Sequence, residues 1–367
     1  MPKITAVITV LYLGLFAISF DFISGYTGYL SFGHAAFFGI GAYAVVLATH
    51  GKIPLVPSGT HFMILLILAG LLAAIGAVLI GLVSFRLTGV YFAMITLGFA
   101  QLGYELIRNW NYVSPNPRGG ATVAGDGLAI GVPYVDALNL HVGRLAGDSF
   151  TNVLGLGFDI SATVVSYYML GIVVVVCYFA MRRILNSPFG SVMVAIRENE
   201  ERAQAIGYNT YWYKLGAFTL SAVFAGVAGA IFAAYARSVS PESTFYFLVT
   251  ADALIAAVVG GFGTLAGPLF GDSLVRVLEE ILSTEAGALA SYLRDALGPE
   301  LLDLGVGGAT VGGFIQSAIA GRAPLYVGII FVLFVLYVPN GLLGTLYARL
   351  DGSAEEKLPA VIRRYLR

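Results

Sequence analysis

The chain is patterned as long apolar runs separated by short polar stretches. A membrane-spanning helix needs about 20 mainly apolar residues. Six runs meet this requirement: residues 4–20, 62–83, 89–107, 163–181, 215–236 and 325–346. Hydrophobic residues make up 58% of the 367 positions and charged residues only 11%, whereas an ordinary soluble domain is about 25% charged. The pattern predicts an all-α polytopic membrane protein, with the first run retained as a span rather than removed as a signal peptide.

Two further apolar segments, 29–48 and 248–271, are crowded with glycine. The second contains Gly260-Gly261-Phe262-Gly263-Thr264, followed by Pro268. Glycine disfavours a helix and permits positive φ, so both segments are predicted to be broken, either discontinuous or re-entrant. The expected total is six full transmembrane helices plus these two, about eight membrane segments or more. Close helix packing through glycine, without a break, is the alternative.

Basic residues in short loops predict the orientation, since cytoplasmic loops are rich in Lys and Arg. The loop 182–214 carries five basic residues, and the tail 351–367 is also basic, so both are expected in the cytoplasm. Loops 108–162 and 272–324 have more acidic than basic residues and are expected outside. If both glycine-rich segments return to the side they entered from, the N-terminus is cytoplasmic as well.

A charged block, residues 187–207, lies inside the 182–214 loop. Ser187-Pro188 resembles a helix start and Gly207 a helix end. Val192, Ile196, Ala203 and Ile206 recur at helical spacing and form one apolar face of a single predicted helix. Such a helix suits docking into a partner's groove, and a helix lying on the membrane surface is the alternative.

Few residues within the membrane carry chemistry. His34 is polar in an apolar segment and needs a hydrogen-bond partner; it either lines a transport path or fills a structural role. Matched glycine-interrupted segments indicate a transport path near the bilayer midplane. The candidate path residues are Thr27, Ser31, Gly33, His34, Tyr43, Thr96, Gln101, Asp252, Gly260, Gly261, Gly263 and Thr264.

The sequence also limits the possible functions. It contains no nucleotide-binding loop of the Gly-x-x-x-x-Gly-Lys-Ser/Thr type, no metal-ligand cluster and no nucleophile–base arrangement. The net charge of −1 argues against a nucleic-acid partner. Small residues repeat every four positions in 215–236, which predicts close helix packing. If transport is active, its energy must come from another chain, and this chain is not itself an enzyme.

Four ordered motifs resemble one family. They are Gly25-Tyr-Thr-Gly-Tyr-Leu-Ser-Phe-Gly-His-Ala-Ala-Phe-Phe-Gly, Thr88-Gly-Val-Tyr-Phe-Ala-Met-Ile-Thr-Leu-Gly, Ser187-Pro-Phe-Gly with Ala195-Ile-Arg-Glu-Asn-Glu-Glu-Arg-Ala, and Val259-Gly-Gly-Phe-Gly-Thr-Leu-Ala-Gly-Pro. A fifth stretch, Val338-Pro-Asn-Gly, follows near the end. The family is the permease subunits of branched-chain amino acid ABC importers, in its M-type form. The segments 111–135 and 283–324 look inserted relative to that family.

The resemblance implies a single permease domain over 1–350, followed by the tail, in a cell membrane. It implies a second related permease, two ATPases that bind ATP and magnesium, and an extracytoplasmic binding protein, with no cofactor or metal held by this chain. The resemblance makes the 182–214 loop the coupling loop, the part of the chain that ATPases would bind. The residues implied in ATPase coupling are Phe189, Ile196, Arg197, Glu198, Asn199, Glu200, Ala203, Ile206 and Gly207. The implied substrate is Leu, Ile or Val. A urea or short-amide importer and an ATPase-independent channel or carrier are the alternatives.

Overall fold

The computed structural model describes residues 4–124 apart from 55, 58 and 59, residues 160–279, and short stretches within 129–150 and 305–345. Its helices are α1 Ile4–Thr27, α2 Ala35–Thr49, α3 Phe62–Ser84, α4 Val90–Arg108, α5 Ala162–Leu185, α6 Pro188–Glu198, α7 Glu200–Ala205, α8 Thr210–Ala236, α9 Pro241–Thr244, α10 Phe247–Gly260 and α11, 267–279. The predicted span 325–346, the tail 351–367 and most of 272–324 lie largely or wholly outside the described residues.

Short strands form antiparallel pairs in the connecting segments. They are β1 Ala121–Thr122, β2 Ala129–Val132, β3 Val135–His141, β4 Ser149–Phe150, β5 Ile160–Ser161, β6 Ser238–Val239, β7 Gly305–Val306 and β8 Ala309–Thr310. The pairs are β1 with β6, β2 with β3, β4 with β5, and β7 with β8. In the first pair Ala121 lies opposite Val239, which joins the segment after α4 to the end of α8.

Six helices among the described residues are long and apolar enough to cross a membrane: Ala6–Thr27, Phe62–Ser84, Val90–Arg108, Tyr167–Leu185, Thr210–Ala236 and Pro241–Gly260. The first five correspond to predicted spans. The sixth overlaps the second glycine-rich segment, which is predicted to be broken and is not one of the six predicted full spans. The all-helical, multi-pass character that the hydrophobic pattern predicts is therefore confirmed.

Helix α8 forms the centre of the bundle and packs against α1, α2 and α3. Small residues permit this close packing, as the repeat in 215–236 predicts. A Cβ atom on Gly41 of α2 would clash with the carbonyl oxygen of Gly226, and one on Gly229 would clash with the carbonyl oxygen of Phe38. The backbones of α2 and α8 thus approach each other directly, and several phenylalanine side chains of the bundle are fully buried.

The start of α1 lies at the opposite end of the bundle from α6 and α7. The helix runs as far as Thr27, seven residues beyond the predicted end, and its last turns contact α6 through Gly25 and Arg197. At about 1.5 Å per residue, 24 residues extend about 36 Å. Because α1 crosses the bundle before the glycine break, its start and the coupling loop lie at opposite ends of the bundle, and the membrane side of the N-terminus stays a prediction.

The segment 29–48 also passes from one end of the bundle to the other. Tyr29 contacts Glu200 beside α7, whereas Thr49 accepts a hydrogen bond from the backbone of Ala124 near β1. The segment is therefore not a re-entrant hairpin. It consists of a non-helical stretch, 28–34, that leads into α2.

The segment 248–271 has a different path. Helix α10 is followed by the turn 261–266 and then by α11. A Cβ on Gly271 would clash with the carbonyl oxygen of Ala256, and Gly260 lies against Gly267. Arg276 on α11 lies 3.8 Å from Asp252 on α10. The three contacts pair residues progressively farther before the turn with residues progressively farther after it. The helices α10 and α11 therefore run antiparallel, as a hairpin with its turn at the glycine motif.

Candidate functional site

The charged block of the coupling loop folds into two helices, not the single helix predicted from its spacing. Asn199 adopts an extended conformation, with φ −164° and ψ 104°, between α6 and α7. Its side-chain oxygen accepts a hydrogen bond of 2.8 Å from the backbone nitrogen of Arg202, so it caps the start of α7. Ser187 precedes Pro188 as expected, but its hydroxyl donates to the carbonyl oxygen of Ile184 and does not cap α6.

Most of the predicted apolar face is buried within this chain. Val192, Ile196 and Ala203 form a buried cluster, against which Tyr29 and Tyr213 pack. Phe189 also stacks on the ring of Tyr213, at 5.4 Å between centroids. Ile206, the fourth predicted member, is 68% exposed. These apolar residues hold α6 and α7 against the bundle, so the surface left for a partner is the opposite one.

The exposed surface of α6, α7 and the residues after them is mainly polar. Its exposed residues are Pro188, Ser191, Val194, Arg197, Glu198, Asn199, Glu201, Arg202, Gln204, Ala205, Ile206, Gly207, Tyr208 and Asn209. Gly207 has φ +99°, a conformation that a residue with a side chain rarely adopts, and it ends the block as predicted. Of the residues implied in coupling, Arg197, Glu198, Asn199, Ile206 and Gly207 are exposed, Phe189 and Glu200 are half-buried, and Ile196 and Ala203 are buried.

Arg197 connects α6 to both glycine-rich breaks. Its Nη1 donates a hydrogen bond of 2.6 Å to the carbonyl oxygen of Gly25, and it lies beside Gly263, where a Cβ would be 2.8 Å from the same nitrogen. Gly263 has φ +81°, and its backbone nitrogen donates a hydrogen bond of 2.8 Å to Oδ1 of Asp21. The end of α1, the turn after α10 and the coupling loop therefore meet at one place.

Tyr29, Glu200 and Lys214 form a second connection, which we call the Tyr29–Glu200–Lys214 cluster. The Tyr29 hydroxyl donates to Oε2 of Glu200 at 2.6 Å. Lys214 Nζ donates to Oε1 of Glu200 at 2.5 Å and to the Tyr29 hydroxyl at 3.0 Å. The hydroxyl of Thr210 also donates to Oε1 of Glu200, at 2.9 Å. This cluster joins α7, the first residues after α1 and the start of α8.

Burial by itself raises the pKa of the Glu200 carboxyl, but hydrogen bonds from Lys214, Tyr29 and Thr210 outweigh that effect and hold the pKa below its ordinary value of 4.5. The carboxylate is thus charged at neutral pH. That charge compensates the ammonium of Lys214, which is almost fully buried. A buried lysine without a partner would be strongly unfavourable, so the cluster is an electrostatically matched unit.

The imidazole of His34 is enclosed by aromatic rings. Its ring is completely buried and contacts the rings of Phe16, Phe20 and Phe37 at 5.4, 5.8 and 5.6 Å between centroids. Its Nε2 lies 3.1 Å from the hydroxyl of Ser19. The next residue, Ala35, donates its backbone N–H to the hydroxyl of Thr250 on α10 at 2.8 Å. In this conformation His34 helps to fix the start of α2 and does not face an open path.

The other candidate path residues do not form one site. Gly33 lies directly against the carbonyl oxygen of Thr96, so this pair is brought together. Thr27, Thr96 and Thr264 use their hydroxyls on carbonyl oxygens of their own segments, at Ile23, Ala93 and Gly261. Ser31 and Tyr43 are buried, Gln101 is exposed, and Gly260 and Gly261 lie at the α10 turn. Asp252 is 61% exposed and faces Arg276, far from the glycine turn.

Several residues of these connections were missed from the sequence: Ser19, Asp21, Tyr29 and Lys214. Asp21 and Lys214 carried a usable signal, since each is charged and lies within or next to an apolar run. Asp21 is completely buried, and its position explains why Gly25 has no side chain: a Cβ there would clash with Oδ1 of Asp21. Tyr29 and Ser19 had no such signal, because neither side chain is charged.

These features define a class: a multi-pass helical membrane protein with a two-helix loop fixed to interrupted segments. The family model described as branched-chain amino acid transport system / permease component matches residues 4–311, and the chain belongs to this family. The chain is 33% identical over 282 residues to the high-affinity branched-chain amino acid transport system permease protein LivM of Escherichia coli K12, a match that covers 76% of this chain and 62% of LivM.

Two further relatives give the same assignment. LivM of Salmonella typhimurium LT2 is 33% identical over 280 residues, covering 76% of this chain and 62% of that protein. The permease protein LivH of the same organism is 25% identical over 289 residues, covering 76% of this chain and 85% of LivH. The matched part of the chain thus spans less than two thirds of the LivM proteins. No solved structure matches the chain significantly.

Proposed function

We propose that this chain is the transmembrane permease subunit of an ATP-driven ABC importer for branched-chain amino acids. One observation carries the proposal: α6 and α7 are fixed by polar contacts to the end of α1, the 28–34 stretch and α8, while their outer surface is exposed. A partner that binds this outer surface has a direct mechanical connection to the membrane helices. The names of LivM and LivH support the substrate class, Leu, Ile or Val.

The proposed complex contains two ATPases that bind ATP and magnesium, a second related permease and an extracytoplasmic binding protein. This chain itself would hold no cofactor and catalyse no reaction. The accessible residues Glu198, Asn199, Ile206 and Gly207 form the proposed centre of the ATPase contact, with Phe189, Ile196 and Ala203 supporting it from beneath. The segment 111–135 faces the opposite end of the bundle where it is described, which suits contact with the binding protein.

The proposed orientation follows from the basic coupling loop, which should be cytoplasmic. The start of α1 is then outside the cytoplasm, since α1 ends beside α6. With α10 and α11 as a hairpin entered from outside, the predicted span 325–346 would bring the basic tail 351–367 into the cytoplasm. This gives eight membrane segments in a cell membrane: α1 to α5, α8, the α10–α11 hairpin and 325–346.

Transport would proceed by alternating access. Closure of the ATPases on ATP would move α6 and α7, and the contacts through Arg197 and Glu200 would carry that movement to the two glycine-rich breaks. Glycine at these breaks removes side chains that would oppose a change of backbone conformation. A path between α1, α2 and α10 would then open to one side of the membrane at a time.

Reconstitution of the purified complex in proteoliposomes tests the function. We expect uptake of radiolabelled leucine that requires ATP and the binding protein. Uptake of urea without uptake of leucine would assign the chain to the amide importers instead. Flux of leucine through vesicles that hold this chain alone would show a channel or carrier and contradict the importer.

A further inference from the structure

The Tyr29–Glu200–Lys214 cluster has a geometry that simple charge compensation does not require. An ion pair between Glu200 and Lys214 alone would neutralise both charges. The Tyr29 hydroxyl is nevertheless placed between them, donating to the carboxylate and accepting from the ammonium. Lys214 Nζ also lies 4.7 Å from the centroid of the Tyr29 ring. Both partners of the ion pair, on α7 and α8, are thus attached to the stretch that follows α1.

The ring of Tyr29 is held on its other sides by the ends of α3 and α4. Phe85 follows α3 and Phe92 lies in the first turn of α4; their ring centroids are 5.6 and 5.3 Å from that of Tyr29. Both contacts are edge-on, at interplanar angles of 67° and 90°. A tyrosine clamped in this way cannot move without its neighbours, because packed interiors deform as units rather than continuously.

A continuous series of ring contacts extends from this cluster to His34. Phe85 and Phe92 both contact Phe218 of α8, at 5.5 and 5.9 Å between centroids. Phe218 contacts Phe37 of α2 at 5.1 Å, and Phe37 contacts His34 at 5.6 Å. The ring of Phe218 is completely buried. The polar cluster beside the coupling loop is therefore packed, ring against ring, onto the start of α2 inside the bundle.

We propose that Tyr29, Glu200 and Lys214 act as positioning residues that transmit displacement of α7 to the 28–34 stretch and the start of α2. The proposal rests on the proposed importer function and specifies which contact links ATP hydrolysis to transport. Tyr29 is the transmitting group, because its hydroxyl hydrogen-bonds to both members of the charged pair while its ring contacts Phe85 and Phe92. Lys214 adds a weaker contact of its own, with Nζ 5.9 Å from the centroid of the Phe85 ring. Removing its hydroxyl breaks the hydrogen bond between α7 and the break, while the ion pair and the ring contacts stay in place.

Tyr29→Phe separates this role from folding, and Tyr91→Phe is its matched control. Tyr91 lies on the exposed side of α4, next to Phe92 in sequence. In the reconstituted complex we expect Tyr29→Phe to assemble and hydrolyse ATP like the wild type, while leucine uptake per ATP falls about tenfold, within the usual range of coupling between sites. Tyr91→Phe should leave this ratio unchanged. An unchanged ratio in an assembled Tyr29→Phe complex would overturn the proposal.

The double variant Glu200→Leu with Lys214→Met, which removes both charges and the acceptor for the Tyr29 hydroxyl, tests the alternative that the cluster only compensates buried charge. Each single change leaves one unpaired charge, whereas the double change leaves none. We expect the double variant to regain the melting temperature that either single variant loses, without regaining leucine uptake per ATP. Recovery of both quantities would reduce the cluster to charge compensation and refute a positioning role.

Hydrogen exchange in the isolated full chain gives a readout that needs no partner and no transport. We expect Glu200→Gln to accelerate amide exchange in 28–34 by about tenfold, as loss of one charged hydrogen bond allows. Tyr91→Phe should not. If the wild-type complex moved no leucine, the importer function would fail, and this measurement would still decide the inference. Unchanged exchange in 28–34 would disprove the link between α7 and the break.

Discussion

The Nη1 atom of Arg197 donates a hydrogen bond of 2.6 Å to the carbonyl oxygen of Gly25, 172 residues earlier in the chain. Gly25 lies in the last full turn of α1, where the backbone carbonyls have no partner within the helix. A cation near a helix C-terminus also interacts favourably with the helix dipole. The contact therefore satisfies the end of α1 and at the same time attaches α6 to it.

Replacement of this guanidinium should loosen α6. We expect Arg197→Met to lower the free energy of unfolding of the isolated chain by about 1 kcal/mol, a value reduced for the partial exposure of the side chain. The check is thermal unfolding in detergent. Arg202→Met is the matched control, since Arg202 is exposed on the neighbouring helix. Equal melting temperatures for both variants would contradict a stabilising contact at Gly25.

The outer surface of α6 and α7 should bind the ATPase. We expect Glu198→Lys and Ile206→Asp each to reduce copurification of the ATPase about tenfold, because both residues are exposed at the proposed contact and interfaces depend on a few such positions. The melting temperature of the chain alone should not change. Glu105→Lys is the control, because it makes the same charge change at an exposed position of α4 at the opposite end of the bundle. The ATPase should copurify with this variant as it does with the wild type. Normal copurification of both test variants would remove α6 and α7 from the ATPase interface.

The length of the apolar runs predicted five of the described membrane-spanning helices, because length and apolarity determine whether a segment can cross a membrane. The path of the chain through the two glycine-rich segments was harder to predict. Glycine both breaks helices and permits close packing, so one motif is compatible with two structures. In the segment 29–48 the break precedes a helix that crosses, whereas Gly261 and Gly263 form the turn of the α10–α11 hairpin. Only tertiary contacts distinguish the two.

The candidate site was predicted in part for a similar reason. Helical spacing placed Val192, Ile196 and Ala203 on one face correctly, but spacing does not say whether that face meets a partner or the chain's own helices. Tyr29 and Tyr213 cover it. The helix break at Asn199 was not predicted because asparagine is compatible with two conformations. It can continue a helix, or its side chain can cap the start of a new one. The ion pair between Glu200 and Lys214 depends on the turn between α7 and α8, and the spacing of residues along the sequence does not determine that turn.

The ionisation of Glu200 should make stability depend on pH in a defined window. Its folded pKa is below the unfolded value of about 4.5, so the folded state holds the carboxylate more strongly than the unfolded chain does. The contribution is fully present above pH 4.5 and is lost as pH falls through the lower, folded pKa. We expect the difference in melting temperature between wild type and Glu200→Gln to be constant at neutral pH and to shrink below pH 4.5. Other carboxyl groups titrate in both proteins and cancel in this difference. A difference that stayed constant down to the acid limit would contradict the charged cluster.

The packing of α2 on α8 predicts opposite results for one substitution at two glycines. A Cβ at Gly41 would clash with the carbonyl oxygen of Gly226, a backbone atom that cannot rotate away, whereas a Cβ at Gly98 of α4 meets nothing within 4 Å. Both residues lie inside helices, where alanine is favoured over glycine by about 1 kcal/mol.

We therefore expect Gly98→Ala to be neutral or slightly stabilising. Gly41→Ala should lower the free energy of unfolding by about 2 kcal/mol or more, because overpacking forces the backbones of α2 and α8 apart. Thermal unfolding of the two purified variants in the same detergent measures the difference. Since the helix propensities of the two substitutions are equal, any difference in sign comes from the space around each glycine. Equal stability of the two variants would mean that α2 and α8 do not approach each other at Gly41 and Gly226.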